Sequence, residues 1–356
     1  MSAPVVSVQP RGLELARFLC AMATCKGDPL GALAYCEQKA WPRTAMVFRS
    51  IIAPLDQSAV DAGLAPVVSD LLELLRPMSV VSRLAGMHAV PMHARLLEQT
   101  AGGAAAWVAE AQPAPITAGA FAFRQQLGAK KVVGISVFST ELLNFATSTP
   151  TFSAAALTDG LAAVAATLDR AFCDPTSAGD AATPASITHG AAASFESSGG
   201  SVADIDHDLG LLVDALITAN MPLSSASWLM RSSTLSYLSR LRVASGELAY
   251  PGLNLRTGGV LYGLPVLASN SVTAVDSPTE SEIALVEASQ VAIADNGATI
   301  ETTTQAAVQM DSAPSAGAQQ LISLWQHGLT GLKISRFADW GLRRAEGCAV
   351  LRSVAF

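Results

Sequence analysis

The run TAGGAAAWVAEAQPAPITAGAFAFRQQL (100–127) leaves the chain few options. Gly102-Gly103 is a turn signal, and Pro113 and Pro115 exclude both a helix interior and a central strand. Phe121, Phe123, Gln125 and Leu127 alternate, which is the period of a strand. Upstream, HAVPMHARLLEQ (88–99), with Pro91, can also run extended. The reading is a two-stranded ribbon with Gly102-Gly103 near its tip and Trp107 on the returning strand. Two strands alone are marginal in water. The ribbon needs a surface to lie on, and Trp107 most of all.

The remaining segments read as mixed helix and strand. Residues 11–75 carry apolar steps of three and four, broken at Lys26-Gly27-Asp28-Pro29 and stopped at Pro77. KVVGISVFS (131–139) reads as a buried strand leading into TELLNF. FSAAALTDGLAAVAATLDRAF (152–172) reads as a helix with Leu157, Leu161, Val164, Leu168 and Phe172 on one stripe. A Ser/Thr/Ala/Gly-rich linker spans 176–200. SVADIDHDLGLLVDALITAN (201–220) follows, with a capping-box-like start at Ser201 and Asp204. Its inner face holds Val202, Ile205, Leu209, Leu212, Val213, Leu216 and Ile217. SWLM, LYGLPVLAS, IALVEA and QVAIAD each read as one strand, STLSYLSRL as a short helix, and ATIETTTQAAVQM (298–310) as a polar extended run. The class is α+β, with no repeat of fixed period.

Half of the residues are apolar and 14% are charged, which excludes a disordered chain. No stretch holds the roughly 18 uninterrupted apolar residues of a spanning helix. GLELARFLCAMATC (12–25) is interrupted by Glu14 and Arg17 and reads as an amphipathic helix of a cytosolic product, not an export signal. Five scattered cysteines without a C-x-x-C pair argue for free thiols. The net charge is −7, and no Lys/Arg cluster makes a phosphate-tracking stripe.

Catalytic signatures are missing. There is no G-x-S-x-G, H-E-x-x-H, Walker loop or dinucleotide fingerprint. Asp204, Asp206, His207 and Asp208 form the most metal-like cluster, but they fall in the first turns of a helix, where carboxylates favour the dipole. His88 and His93 are spaced to face opposite sides of the ribbon. The expectation is no enzyme, no metal and no cofactor.

Four pieces in order carry a resemblance: AWVAEAQPAPITAGAFAFRQQLGAKKVVGISVFSTELL (106–143), DRAFCDP (169–175), LYGLPVLAS (261–269) and LWQHGLTGLKISRFADWGLRRAEGCAVL (324–351). Together they resemble the major capsid proteins of tailed bacteriophages with the HK97 fold, over roughly residues 76–356. The resemblance implies a helical, scaffold-like segment at 1–78 and an N-arm with an extended loop at 79–131. It implies a peripheral domain with a spine helix at 132–200 and 311–356, and an axial domain at 201–310. It implies an extended loop lying across a neighbouring subunit, with Trp107, Glu110, Phe121, Phe123, Gly102 and Gly103 as candidate inter-subunit contacts.

The function implied is self-assembly into an icosahedral head shell that encloses phage DNA without binding it specifically. The partners implied are copies of the chain in hexamers and pentamers, a portal, a maturation protease and cement proteins. The place implied is the virion, after assembly in the bacterial cytoplasm, with no membrane. Some relatives weld subunits through a lysine in the extended loop. Between Met87 and Leu127 there is none, so the shell implied here rests on non-covalent contacts or a cement protein. An encapsulin-like compartment shell of the same fold is the alternative, and a hydrolase with an unrecognised nucleophile is a remote third.

Overall fold

The computed structural model describes residues 13–25, 28–52, 79–101, 105–108, 116, 120–141, 150–272, 281–311 and 321–356. Three helices open it: α1 (Leu13–Thr24), α2 (Pro29–Gln38) and α3 (Pro42–Ile52). Asp28 caps α2 by accepting from the Leu30 and Gly31 amides, and Pro29 occupies the first helical position. These helices share their own small core of Ala21, Ala32, Cys36, Ala45 and Phe48, with Phe18 stacked on Phe48 at 4.8 Å.

A short helix α4 (Val80–Arg83) leads to β1 (His88–Ala89), β2 (Arg95–Ala101), β3 (Ala120–Gln126) and β4 (Lys131–Ser139). The long helix α5 (Pro150–Cys173) is followed by β5 (Ala193–Glu196), α6 (Val202–Thr218), β6 (Ala226–Met230) and α7 (Ser232–Arg240). Then come β7 (Leu253–Asn254), β8 (Gly258–Leu261), β9 (Leu264–Ala268), β10 (Ser281–Glu287) and β11 (Val291–Thr303). The chain closes with β12 (Ala307–Gln309), β13 (Leu321–Ser323), β14 (Leu329–Leu342) and β15 (Cys348–Val354).

By contacts, the chain divides into two units. One comprises 1–78, 133–165 and 298–335. In it Gly160 of α5 sits where an added Cβ would come within 2.8 Å of Ile334 Cδ1, so a larger residue would have to displace the tip of that side chain. The other unit comprises 79–132, 166–297 and 336–356. Its core is a seven-stranded sheet in the order β5-β15-β10-β6-β9-β8-β7, with α6 packed against β5, β15 and β10. Ile205, Leu209, Leu212 and Leu216 of α6 meet Trp228, Ile283, Leu285 and Leu351 there. Leu212 is fully buried. Leu212→Ala is expected to cost about 2–5 kcal/mol in a urea-melt comparison.

Several expectations need correction. KVVGISVFS is a strand, but β4 ends the four-stranded sheet β1-β11-β14-β4, and Val133 and Ile135 stand 40% and 59% exposed. LYGLPVLAS is not one strand but the hairpin β8–β9, turned at Tyr262 and Gly263, whose φ angles of 52° and 81° mark a primed turn. The segment 176–200 is no mere linker: β5 pairs in parallel with β15, and Ser186, Ile187 and Thr188 are buried. QVAIAD and the polar run after it form a single strand, β11, up to Thr303. Ile217, expected inside, is 54% exposed because the buried stripe runs through Leu209, Leu212 and Leu216, and Ile217 lies about 100° round the helix from it. β15 lies in the same sheet as β6 and β10, while β11 pairs in the four-stranded one.

Candidate functional site

The ribbon exists as β2 paired antiparallel with β3, from Arg95↔Gln126 to Ala101↔Ala120. Its base is held firmly. Leu96 and Leu127 are buried with Ala292 and Ala294. Arg124 pairs with Glu98 across the strands at 2.9 Å. The Gln125 side-chain amide donates to the Trp340 carbonyl at 3.0 Å, and an added Cβ on Gly341 would strike that side chain. The Gly128 amide donates to Asp339 Oδ2 at 2.5 Å. Trp340 itself is buried, edge-on to Phe172 at 5.3 Å, and its indole donates to the Ala185 carbonyl.

Beyond that base the apolar side chains have no cover. Trp107 is 105% exposed, Ile116 98%, Phe121 67% and Phe123 60%. Trp107 lies outside any strand, in the irregular stretch 105–108, so the returning strand begins only at Ala120. Gly102, Gly103 and Glu110 lie outside the described residues. The geometry therefore joins Phe121 and Phe123 on one strand and places Trp107 away from it, all three facing solvent. A firmly held root thus carries uncovered aromatic side chains at Trp107, Phe121 and Phe123, each of which gains by burial.

The carboxylate-rich start of α6 has structural work. Ser201 Oγ accepts from the Asp204 amide as the helix cap. Asp208 is buried and accepts from the Ser198 amide and hydroxyl at 2.7 and 2.6 Å. Asp206 accepts from the Tyr262 hydroxyl. Among the described residues no group of three or more His, Cys, Asp or Glu is placed to hold a metal ion, and no helix is long and apolar enough to cross a membrane. His88 sits in β1 beside Ala292, off the ribbon altogether.

Two features escaped the sequence reading. Asp169 of α5 is buried and clamps the start of α4 through Ser79. Glu282 is buried in β10 with neither oxygen hydrogen-bonded. An acid set between Leu168 and Phe172 of an apolar helix stripe was the one available signal for the first; Glu282 had none.

A family model described as the phage capsid family matches residues 65–352. The capsid polyprotein of Pseudomonas phage PAJU2 is 35% identical over 301 residues, which cover 81% of this chain and 44% of that protein. The chain thus spans less than half of that relative's length. A solved chain from Mycobacterium phage Ogopogo superposes with a TM-score of 0.57 at 17% identity, covering 77% of this chain and 91% of that one. A solved structure titled as the capsid of an empty GTA particle gives 0.52 at 15% identity, covering 78% and 90%.

Proposed function

The chain belongs to the phage capsid family and carries its HK97-like α+β fold, and on that premise we propose that it is the major capsid protein that builds the head shell around packaged DNA. The observation that carries the reading is the exposed arm. Burying one aromatic ring of this size gains roughly 4–6 kcal/mol by area bookkeeping, before the cost of ordering the arm. An isolated chain forgoes that gain at Trp107, Phe121 and Phe123; a chain laid on its neighbour recovers it. Repetition over a closed lattice turns a modest contact into a large total.

Trp107, Phe121 and Phe123, with Glu110, Gly102 and Gly103, are the inter-subunit contacts of this proposal. The Glu98–Arg124 pair and the Gln125–Trp340 bond fix the angle at which the arm leaves its own subunit. Residues 1–78 act as a scaffold-like segment during assembly, 201–310 as the axial domain, and the remainder as the peripheral domain and N-arm. Pentamers and hexamers of the chain, a portal, a maturation protease and cement proteins complete the particle, which forms in the host cytoplasm. The capsid polyprotein relative, a phage product, supports a DNA-filled head over a cargo compartment.

The test is direct. The full chain, concentrated and viewed by negative-stain microscopy, is expected to form closed shells. Trp107→Ala with Phe121→Ala is expected to raise the protein concentration needed for shells by at least about tenfold, with the melting curve of the free subunit unchanged. Wild-type protein that stays as single chains at high concentration defeats the proposal.

A further inference from the structure

Charge in the second unit is sorted along the chain. From Ala171 to Met230 there are seven Asp or Glu and no Lys or Arg; from Arg231 to Val272 there are four Arg and one acid, Glu247. The fold carries this sorting into space. β5 and α6, from the acidic stretch, take one edge of the seven-stranded sheet, and β7, from the arginine stretch, is the other edge. Six strand spacings separate these edges, about 29 Å, well beyond the roughly 8 Å over which exposed charges feel one another in physiological salt. Tyr262, at the β8–β9 turn, and Tyr237, in α7, do reach across, donating to Asp206 of α6 and to the Gly200 carbonyl before it.

The arginines are left without carboxylates. Arg240 and Arg242 are exposed and donate to the Ser236 and Gly246 carbonyls. Arg256 is exposed and, like Arg231, has no ion pair among the described residues. By contrast Arg17, Arg124, Arg336, Arg344 and Arg352 each face a carboxylate of their own chain. Uncovered apolar groups lie among these arginines: Leu248 at 40%, Leu255 at 60% and Val260 at 47%. The acidic edge has the matching mixture, with Asp214 and Ile217 both exposed on α6.

We propose that the arginine-rimmed apolar edge around β7 docks on the acidic face of α6 in a second copy of the chain. The proposal rests on the shell reading and assigns the polar half of its subunit contacts. Because each copy carries both faces, association is head-to-tail, the kind of contact that closes into rings when the rotation allows. Apolar side chains within an arginine rim are the usual composition of a specific interface. The charges steer the encounter and reject the reversed orientation.

The full-length chain tests it. Arg242→Glu with Arg256→Glu is expected to raise the assembly concentration at least about tenfold by sedimentation, while Arg242→Lys with Arg256→Lys assembles like wild type. The milder Arg242→Gln with Arg256→Gln keeps the test open if the reversal disturbs folding, which the melting curve reports. Adding Asp214→Arg to the reversal is expected to restore part of the loss, as a structural defect would not. Reversed protein that assembles like wild type overturns the pairing while leaving the shell reading intact. Reversed protein that forms normal shells but holds less DNA also overturns it, assigning the arginines to nucleic acid. Wild-type protein that never assembles defeats the shell reading itself.

Discussion

Asp169→Ala is expected to destabilise the subunit by about 3–5 kcal/mol. The carboxylate is fully buried and accepts three bonds: from Ser79 Oγ at 2.6 Å, the Val80 amide at 2.9 Å and the Val81 amide at 3.3 Å. The two amides belong to the first turn of α4 and have no intrahelical acceptor. Val80 and Val81 are themselves buried, so water cannot replace the lost acceptor cheaply. Asp169→Asn keeps the volume but turns an NH2 group toward donors, and is expected to recover less than half of the loss. Ser79→Ala should cost less, and the double variant less than the sum, since both remove the same bond. Urea titration of the four proteins checks this. Additive losses would mean that the clamp is not one unit.

The sequence showed some of this architecture better than the rest, for physical reasons. The α6 stripe was legible because Ile205, Leu209, Leu212 and Leu216 must share a face once the helix forms. Phe121 and Phe123 were legible by the same argument with a period of two. KVVGISVFS was read correctly as a strand and wrongly as buried, since an apolar run does not say whether it has one neighbour or two. The Tyr262-Gly263 turn hid because tyrosine seldom takes a φ of 52°; the edge-on contact of Tyr262 with Trp228 and its bond to Asp206 hold it there, and neither is local in sequence. Trp107 illustrates the limit from the other side. Its need for burial is written in the sequence, but none of the described residues covers it. The charge sorting across Arg231 is countable in the sequence, but only the sheet order shows that its two halves reach opposite edges.

Glu282→Gln is expected to remove a loss of subunit stability that sets in above about pH 4.5 and is complete a little above pH 8. Glu282 is 2% exposed, and its nearest cation, Arg352, stands 3.6 Å away, too far for a hydrogen bond. It sits at a bulge: Ser281 pairs with Val354 and Ile283 with Leu351, so Glu282 faces both Arg352 and Ser353. Ser353 has a φ of 57° and donates to Glu196. Burial above all pushes the Glu282 carboxyl from 4.5 up to about 8; Asp174 and Glu196 push the same way, and Arg352 opposes them. Folded protein therefore keeps a proton that the unfolded chain releases near pH 4.5. The favourable contribution is complete below that pH and is lost as pH rises through about 8, a swing of about 5 kcal/mol. Glutamine cannot ionise, so the difference between variant and wild type isolates this one group from every other titration. Urea midpoints at pH 5, 7 and 9 should diverge steadily, with the variant ahead at pH 9. Parallel midpoints across that range would mean that the carboxylate finds solvent or a donor when charged, and that the bulge opens at little cost.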